Sequence, residues 1–376
     1  MDYTYTNSTD IMKILCSDPK QQYREYKEKI SAVIDNVLEK GIYINGLELH
    51  AFEKEFGEFN GSDYCLGVSS GTSAIEIVLR ALKLNDQDEV ITVSHTAIPT
   101  IAAIKLANLE PKLIDITSTF TMCPDELRKA INSRTKAVIV VHLYGQPANM
   151  DEIVDICEQS SLHLIEDCSQ AHGAKWKNQN VGTFGIAGCF SCYPTKNLGA
   201  IGDAGIVTTN DKDLHNELML IREYGWNDNR ESIINGGNYR LDEIQAAILR
   251  VKLKSLEEMN LKRRLIANTY SEQLPSFCER PLINTNAFHV FHLYVVKVPE
   301  REKIIKYLNK NNIYPGIHYQ KPTHLHSAFK NIETLNMTKT EEIKDQILSL
   351  PIYPELEIEK VNYICEKLNA FSSKLL

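Results

Sequence analysis

Lys196 is the lone cation in "GCFSCYPTKNLGAIGDAG", residues 188–205. Small, aromatic and glycine residues surround it. Two roles are open: an ordinary loop lysine, or an amine nucleophile held in a closed pocket. A second candidate lies upstream. "LHLIEDCSQAHGA" ends an apolar run with Glu166 and Asp167, and Gln170 follows three residues after Asp167. Ligands of open α/β sheets bind beyond the carboxyl ends of the strands, so a carboxylate there can hold a protonated ring nitrogen. It can equally fix its own loop. A third candidate is the start of "GVSSGTSAIEIVLRAL", where Gly71, Thr72 and Ser73 open a helix. Free N–H groups, two hydroxyls and the helix dipole favour a phosphate there. Plain N-capping would use the same residues. The glycines of "GAIGDAG" do not open a helix after a first strand, as a dinucleotide fingerprint requires.

Amine, strand-end carboxylate and anion cradle together form the set that pyridoxal phosphate needs. A lysine amine condenses with its aldehyde, a carboxylate keeps its pyridine nitrogen protonated, and a helix terminus holds its phosphate.

The elements that must position these groups are legible as alternating patterns. Ile75, Val78, Leu79 and Leu82 mark one apolar helix face behind the cradle. "EVITVS" (89–94), "KLIDI" (112–116), "AVIVVHL" (137–143), "LHLIED" (162–167), "GCFSCY" (188–193) and "GIVTTN" (205–210) predict strands. Several are apolar on both faces, as buried parallel strands are, and helical segments lie between many of them. Residues 18–39 predict an amphipathic helix on Tyr23, Tyr26, Ile30, Val33, Ile34 and Val37. After about residue 250 the pattern changes to the charged stretch "VKLKSLEEMNLKRRLIANTYSEQL" and the strand-like "VFHLYVVKV". The expectation is an α/β domain over residues 1–250, with a mainly parallel sheet, and a smaller α+β domain over 251–376.

The chain has 376 residues, 43% of them hydrophobic, enough for two cores. Its net charge of −8, with lysines and arginines dispersed, gives no footprint for nucleic acid. No apolar run of about 18 residues is present, and the polar N-terminus reads as no signal peptide, so no membrane partner is expected. Nine cysteines, with Cys189 and Cys192 lacking a second pair, read as reduced cytoplasmic thiols rather than a metal site.

Seven segments together resemble the DegT/DnrJ/EryC1/StrS family of sugar aminotransferases, from about residue 20 to the C-terminus. They are "SSGTSAIEIVLRAL", "VITVSHTAIPTIAAI", "VVHLYGQPANMDEI", "IEDCSQAHGA", "CFSCYPTKNLGAIGDAG", "YRLDEIQAAILRVKL" and "GIHYQKPTHL". The resemblance implies an aspartate aminotransferase-like, fold type I enzyme using pyridoxal 5′-phosphate. It implies that Lys196 is the Schiff-base lysine, that Asp167 pairs with the pyridine nitrogen, and that Gln170 contacts the ring-hydroxyl side. Gly71, Thr72, Ser73 and Ser191 would bind the phosphate. Asn238, in "GGNYRLDE", would reach the phosphate of a neighbouring subunit, which implies a homodimer with shared active sites. His318 and Tyr319 match positions near cofactor and sugar, and Tyr193 would line the same pocket. As bland alternatives, Asn238 could cap a helix and His318 could be a satisfied loop histidine.

Two positions depart from the family pattern. Where many members carry an aromatic that stacks on the cofactor ring, this chain has Ala97, leaving His95 as a candidate for stacking. The usual "SFYPTK" reads "SCYPTK", and Cys192 either enlarges the pocket or repacks the core. The segment through Cys16 has no recognised counterpart and could cap a lobe, contact a partner or be disordered. The reaction implied is ping-pong transamination. L-Glutamate is the donor and a dTDP- or UDP-linked keto sugar the acceptor, 3-keto over 4-keto, for surface polysaccharide or glycan assembly. A cyclitol or other small-ketone aminotransferase, and a non-catalytic regulator that binds the cofactor, are the alternatives.

Overall fold

The structure, a computed structural model, describes residues 13–372. Its centre is an eight-stranded sheet. From one edge the strands are Glu333–Thr334, Glu110–Ile114, Glu89–Val93, Thr135–Val141, His163–Asp167, Ala187–Ser191, Gly205–Thr209 and Tyr64–Val68. Neighbours run parallel as far as Ala187–Ser191. Gly205–Thr209 is antiparallel to the strands on both its sides.

Alternate side chains of the apolar strands feed two different cores, as the strand period of two requires. Ile91, Val93, Val138 and Val140 join Leu127, Met150 and Ile153 from the helices Pro124–Ala130 and Met150–Gln159. Val90, Ala137, Ile139 and Ile165 join Ile75, Val78 and Leu218 from Gly71–Ala81 and Lys212–Arg222. Burial on both faces is why these strands read as near-continuous apolar runs. The six expected strands all occur, each within about two residues at its ends. Two others of this sheet escaped: Tyr64–Val68 and the two-residue edge strand Glu333–Thr334.

The amphipathic helix expected over 18–39 is Pro19–Lys40. Asp18 caps it by accepting from the backbone N–H groups of Lys20 and Gln21, and Gly41, at φ 69°, ends it. Ile14, Tyr270, Tyr294, Ile304 and Leu368 belong to a separate core built mainly from residues 266–371. Leu256 and Met259 instead pack with Phe52, Phe56 and Phe190. Residues 1–12 lie outside the described range. Of the unassigned N-terminal segment, Ile14–Leu15 pairs in parallel with Ile313–Tyr314, and Cys16 O accepts from Ile352 N at 3.2 Å. Among the described residues no helix is long and apolar enough to cross a membrane.

Candidate active site

The helix Gly71–Ala81 starts where Ser70, in extended conformation, accepts from Ser73 N through its side chain. The first helical position has no room for a side chain. A Cβ on Gly71 would lie 2.6 Å from Ser191 Cβ and 3.2 Å from Ser169 Oγ. Glycine there lets the helix N-terminus press against the end of the Ala187–Ser191 strand.

Asp167 closes the His163–Asp167 strand in the middle of the sheet, opposite Val141 on one side and Cys189 on the other. It is 5% exposed. Thr100 Oγ1 donates to its Oδ2 at 2.8 Å, and Ser169 N donates to its Oδ1 at 3.1 Å. Gln170 is buried in the next turn. Its Oε1 accepts from Tyr144 N at 2.7 Å, and its Nε2 donates to the Tyr319 hydroxyl at 2.9 Å.

Lys196 sits on the loop joining Ala187–Ser191 to Gly205–Thr209. The loop is cinched by Ala200 N donating to Cys192 O and Lys196 N donating to Tyr193 O, both at 2.8 Å. Its next residue, the buried Asn197, donates to Asn260 Oδ1 at 2.8 Å and to Val290 O at 3.1 Å. Lys196 is partly buried, and among the described residues its ammonium has no hydrogen-bond or ion-pair partner. Desolvation brings its pKa down to about 8, against the opposing attraction of Asp167.

These groups meet in one pocket of about 280 Å³ at the carboxyl ends of the parallel strands. Gly71, Thr72, Asp167, Gln170, Ser191, Tyr193, Lys196, His318 and Tyr319 line it. His318 bonds Ser349 Oγ through Nδ1 at 2.8 Å. Burial, helped by the nearby Lys196, lowers its pKa to about 4. Burial pushes the Tyr319 phenol up.

Two residues expected at this pocket, Ser73 and His95, do not reach its wall, and Asn238, expected at a neighbouring subunit's pocket, lies elsewhere. Ser73 turns its hydroxyl to those of Ser69 and Ser70, at 2.8 and 2.9 Å, and Ser70 takes its place at the pocket. His95 is buried behind the wall, its Nε2 2.7 Å from the Tyr144 hydroxyl, so the pocket wall there is Thr96 and Ala97, not an imidazole. Asn238 is exposed and bridges to Glu223, away from this pocket. Cys192 is fully buried, packs with Phe190 and Leu198, and lies 3.9 Å from His172 Nε2. Its replacement of an aromatic residue therefore repacks the core and does not widen the pocket.

Sequence reasoning missed Ser70, Thr100, Ser169, Asp203 and His292, which also line the pocket. Thr100 is the most consequential, because it orients Asp167. Its signal was faint: a hydroxyl in the otherwise apolar run "IPTIAAI".

Residues 24–369 match the DegT/DnrJ/EryC1/StrS aminotransferase family. A dTDP-3-amino-3,6-dideoxy-alpha-D-galactopyranose transaminase of Aneurinibacillus thermoaerophilus is 40% identical over 94% of this chain and 98% of its own. A Geobacillus stearothermophilus protein named as a pleiotropic regulatory protein is 35% identical over 96% of this chain and 99% of its own. The crystal structure of S. venezuelae DesV in complex with a ketimine intermediate superposes with a TM-score of 0.92. It is 34% identical and covers 96% of this chain and 98% of that one. The pocket fits the group this family uses. It offers a partly buried amine with a depressed pKa, a carboxylate with two of its hydrogen bonds already placed, and a helix N-terminus that a single Cβ would block. The chain thus belongs to the DegT/DnrJ/EryC1/StrS aminotransferases, and it is a pyridoxal phosphate-dependent transaminase of the kind that makes amino sugars on nucleotide carriers.

Proposed function

We propose that this transaminase moves an amino group from L-glutamate to a dTDP- or UDP-linked keto-deoxysugar at its 3-keto position. The observation that carries the reading is the convergence of Lys196, Asp167, Gln170 and the Gly71 helix terminus on one pocket. The name of the Aneurinibacillus relative, a 3-amino sugar transaminase, supports the 3-keto assignment over the 4-keto one.

When bound, pyridoxal phosphate supplies an aldehyde carbon for covalent attachment of amines and a ring that takes up electrons. The chain's own residues do the rest. A pKa of about 8 leaves part of the Lys196 amine neutral near pH 7, so Nζ can attack an aldehyde. The same Nζ would also serve as the base and acid that moves a proton between carbon atoms. Asp167, oriented by Thr100 and Ser169, would hold the ring nitrogen and keep it protonated. The N–H groups at Gly71 and Thr72, with the Ser70 and Ser191 hydroxyls, receive the phosphate. Gln170 and Tyr319 flank the ring, while Tyr193, 52% exposed, and His318 face the sugar.

The same reading makes the protein a homodimer whose partner supplies Asn238 to this pocket. In support, Asn238 is exposed, and exposed apolar side chains cluster in sequence at Ile42, Tyr43, Ile44 and Leu47. It also places a large domain over 1–250 and a small one over 251–376. Nine unpaired thiols support a cytoplasmic enzyme. Its product would enter surface polysaccharide or glycan assembly.

The test is a two-step assay of purified protein with pyridoxal phosphate. L-Glutamate should convert the bound cofactor and release 2-oxoglutarate. A panel of 3-keto and 4-keto sugars on dTDP and UDP should then give an amine only with 3-keto substrates. Turnover confined to 4-keto sugars or cyclitols would overturn the substrate assignment.

A further inference from the structure

Tyr144 holds a conformation that tyrosine disfavours. It sits at φ 61°, ψ 4°, in the left-handed region, within the short turn Leu143–Gly145. The residue after it, Gly145, is also at positive φ, 95°. There the side chain must be absent, because a Cβ would meet Val290 Cγ2 at 2.9 Å and Gln170 O at 3.0 Å. No such crowding demands a tyrosine at 144. Glycine would relieve the backbone at that position as well. The side chain is what the strained turn presents.

That side chain is 3% exposed and makes polar contacts at its tip. The phenol donates to His318 O and lies 2.7 Å from His95 Nε2. A phenol has one proton. With it given to the carbonyl, the oxygen accepts from His95 Nε2–H, which fixes the imidazole tautomer. His95 Nδ1 is then a bare acceptor, and among the described residues it has no partner. Burial keeps this imidazole neutral, with a pKa of about 4. Phe120 packs edge-on against the Tyr144 ring at 5.6 Å. The backbone of the same residue serves a different element, since Tyr144 N donates to Gln170 Oε1 at 2.7 Å. Gln170 Nε2 in turn donates to the hydroxyl of Tyr319, the residue after His318. Tyr144, Gln170, Tyr319 and the His318 carbonyl thus close a loop of hydrogen bonds between the sheet end and the C-terminal segment.

We propose that Tyr144 is a positioning residue of the transaminase: it fixes the His318–Tyr319 segment against Gln170, so that the pocket's two walls keep one spacing. The sheet supplies one wall, through Asp167 and Gln170. A segment about 150 residues downstream supplies the other, through His318 and Tyr319. Tyr144 bonds to both. It touches no reacting atom in this arrangement, and its effect passes through the residues it holds. Which donor and acceptor are used rests on the reading above; the strut itself does not.

The test uses the full chain with and without pyridoxal phosphate, as wild type, Tyr144→Phe, Tyr319→Phe and the double variant. Backbone hydrogen exchange at Gly316 and Thr323, whose N–H groups donate to Ser349 O and Ser94 O, should quicken about tenfold or more in Tyr144→Phe, while the Pro19–Lys40 helix exchanges as before. With cofactor and L-glutamate, KM should rise several-fold and kcat should change less. That rise should shrink when Tyr319 has already lost its hydroxyl. Unchanged exchange at Gly316 and Thr323 overturns the proposal, as does a KM effect that is fully additive with Tyr319→Phe. Should Tyr144→Phe not fold, Tyr319→Phe decides alone. It leaves the phenol on the His318 carbonyl, so Gly316 should stay protected, and loss of protection there refutes the strut. Wild-type protein that takes up no cofactor would sink the proposed reaction, and the exchange result would still decide the role of Tyr144.

Discussion

Glu166 and Asp167 follow one another on the His163–Asp167 strand, so their side chains leave on opposite faces of the sheet. Both are buried acids. Glu166 is saturated. Its Oε1 accepts from Phe184 N at 2.7 Å and Gly185 N at 2.9 Å, and its Oε2 accepts from Gly182 N at 2.7 Å and lies 3.0 Å from His142 Nε2. It stitches the 182–185 turn to the sheet. Asp167 has two donors, one on each oxygen, and faces a pocket with acceptor capacity left over. Burial alone therefore does not separate the acid proposed to work from the structural one. What separates them is whether the lone pairs have been used. The same test dismisses the buried group His142, Glu166 and Cys168 as a metal site, because Glu166 is already fully engaged and His142 Nδ1 accepts from Ala148 N at 3.1 Å.

The largest effect should come from the amine on the Asp167 side. Lys196→Ala removes a group whose tip has no partner among the described residues, so the fold should keep its melting temperature within a few degrees. Amino transfer should fall about ten-thousand-fold or more, since both covalent attachment and proton movement are lost. Residual turnover within tenfold of wild type would place the chemistry elsewhere.

A pair of variants tests the two acids directly. Asp167→Asn should cost about a hundredfold to a thousandfold in kcat/KM and little stability, because the amide keeps an oxygen for Thr100 or Ser169. Glu166→Gln sets an NH₂ against backbone donors and should cost about 3 kcal/mol of stability, seen as a melting temperature lower by several degrees. If the two outcomes were exchanged, the division between the faces would be wrong.

A gentler version reads the titration of Lys196. The neutral amine is the reactive form, so its attack on pyridoxal phosphate should rise with pH and reach half-maximum near 8, not near the ordinary lysine value. Asp167 opposes that depression by favouring the ammonium. Removing its charge in Asp167→Asn should move the midpoint below 8. Glu166 does not act on Lys196 in this way, and Glu166→Gln should leave the midpoint where it was.

The sheet was readable because burial on both faces leaves long apolar runs. Tyr64–Val68 was not, because "YCLGV" carries a glycine as its fourth residue and follows a turn. Glu333–Thr334 is two exposed polar residues whose strand state comes entirely from Lys112 and Leu113 beside it. At the site, Lys196, Asp167 and the helix start were legible as residue types at element ends. Thr100 and Ser70 were not, since their roles depend on three-dimensional approach to Asp167 and Ser191 rather than on local pattern. His95 was misplaced for a related reason. Its burial behind Thr96 and Ala97 depends on Tyr144, whose positive φ nothing in "HLYGQ" announces.

The smallest effect is expected at Cys192, which belongs with Glu166 on the structural side of the division although it lies four residues from Lys196. Its thiol is enclosed by Phe190, Leu198 and His172, and burial pushes its pKa up, so it carries no thiolate for chemistry. Cys192→Ala removes one sulfur from a packed core and should cost about 1 kcal/mol, with kcat and KM within twofold of wild type. Cys192→Phe, the aromatic that the family resemblance would place here, meets a core already filled and should cost about 1–3 kcal/mol unless its neighbours repack. In neither variant should the ratio of rates on 3-keto and 4-keto acceptors move. Thermal melts and that ratio, measured together, decide the point. A shifted ratio at wild-type stability would mean that position 192 shapes the pocket through the Lys196 loop, and that the line between packed and working residues runs closer to the lysine than the hydrogen bonds around Glu166 and Asp167 suggest.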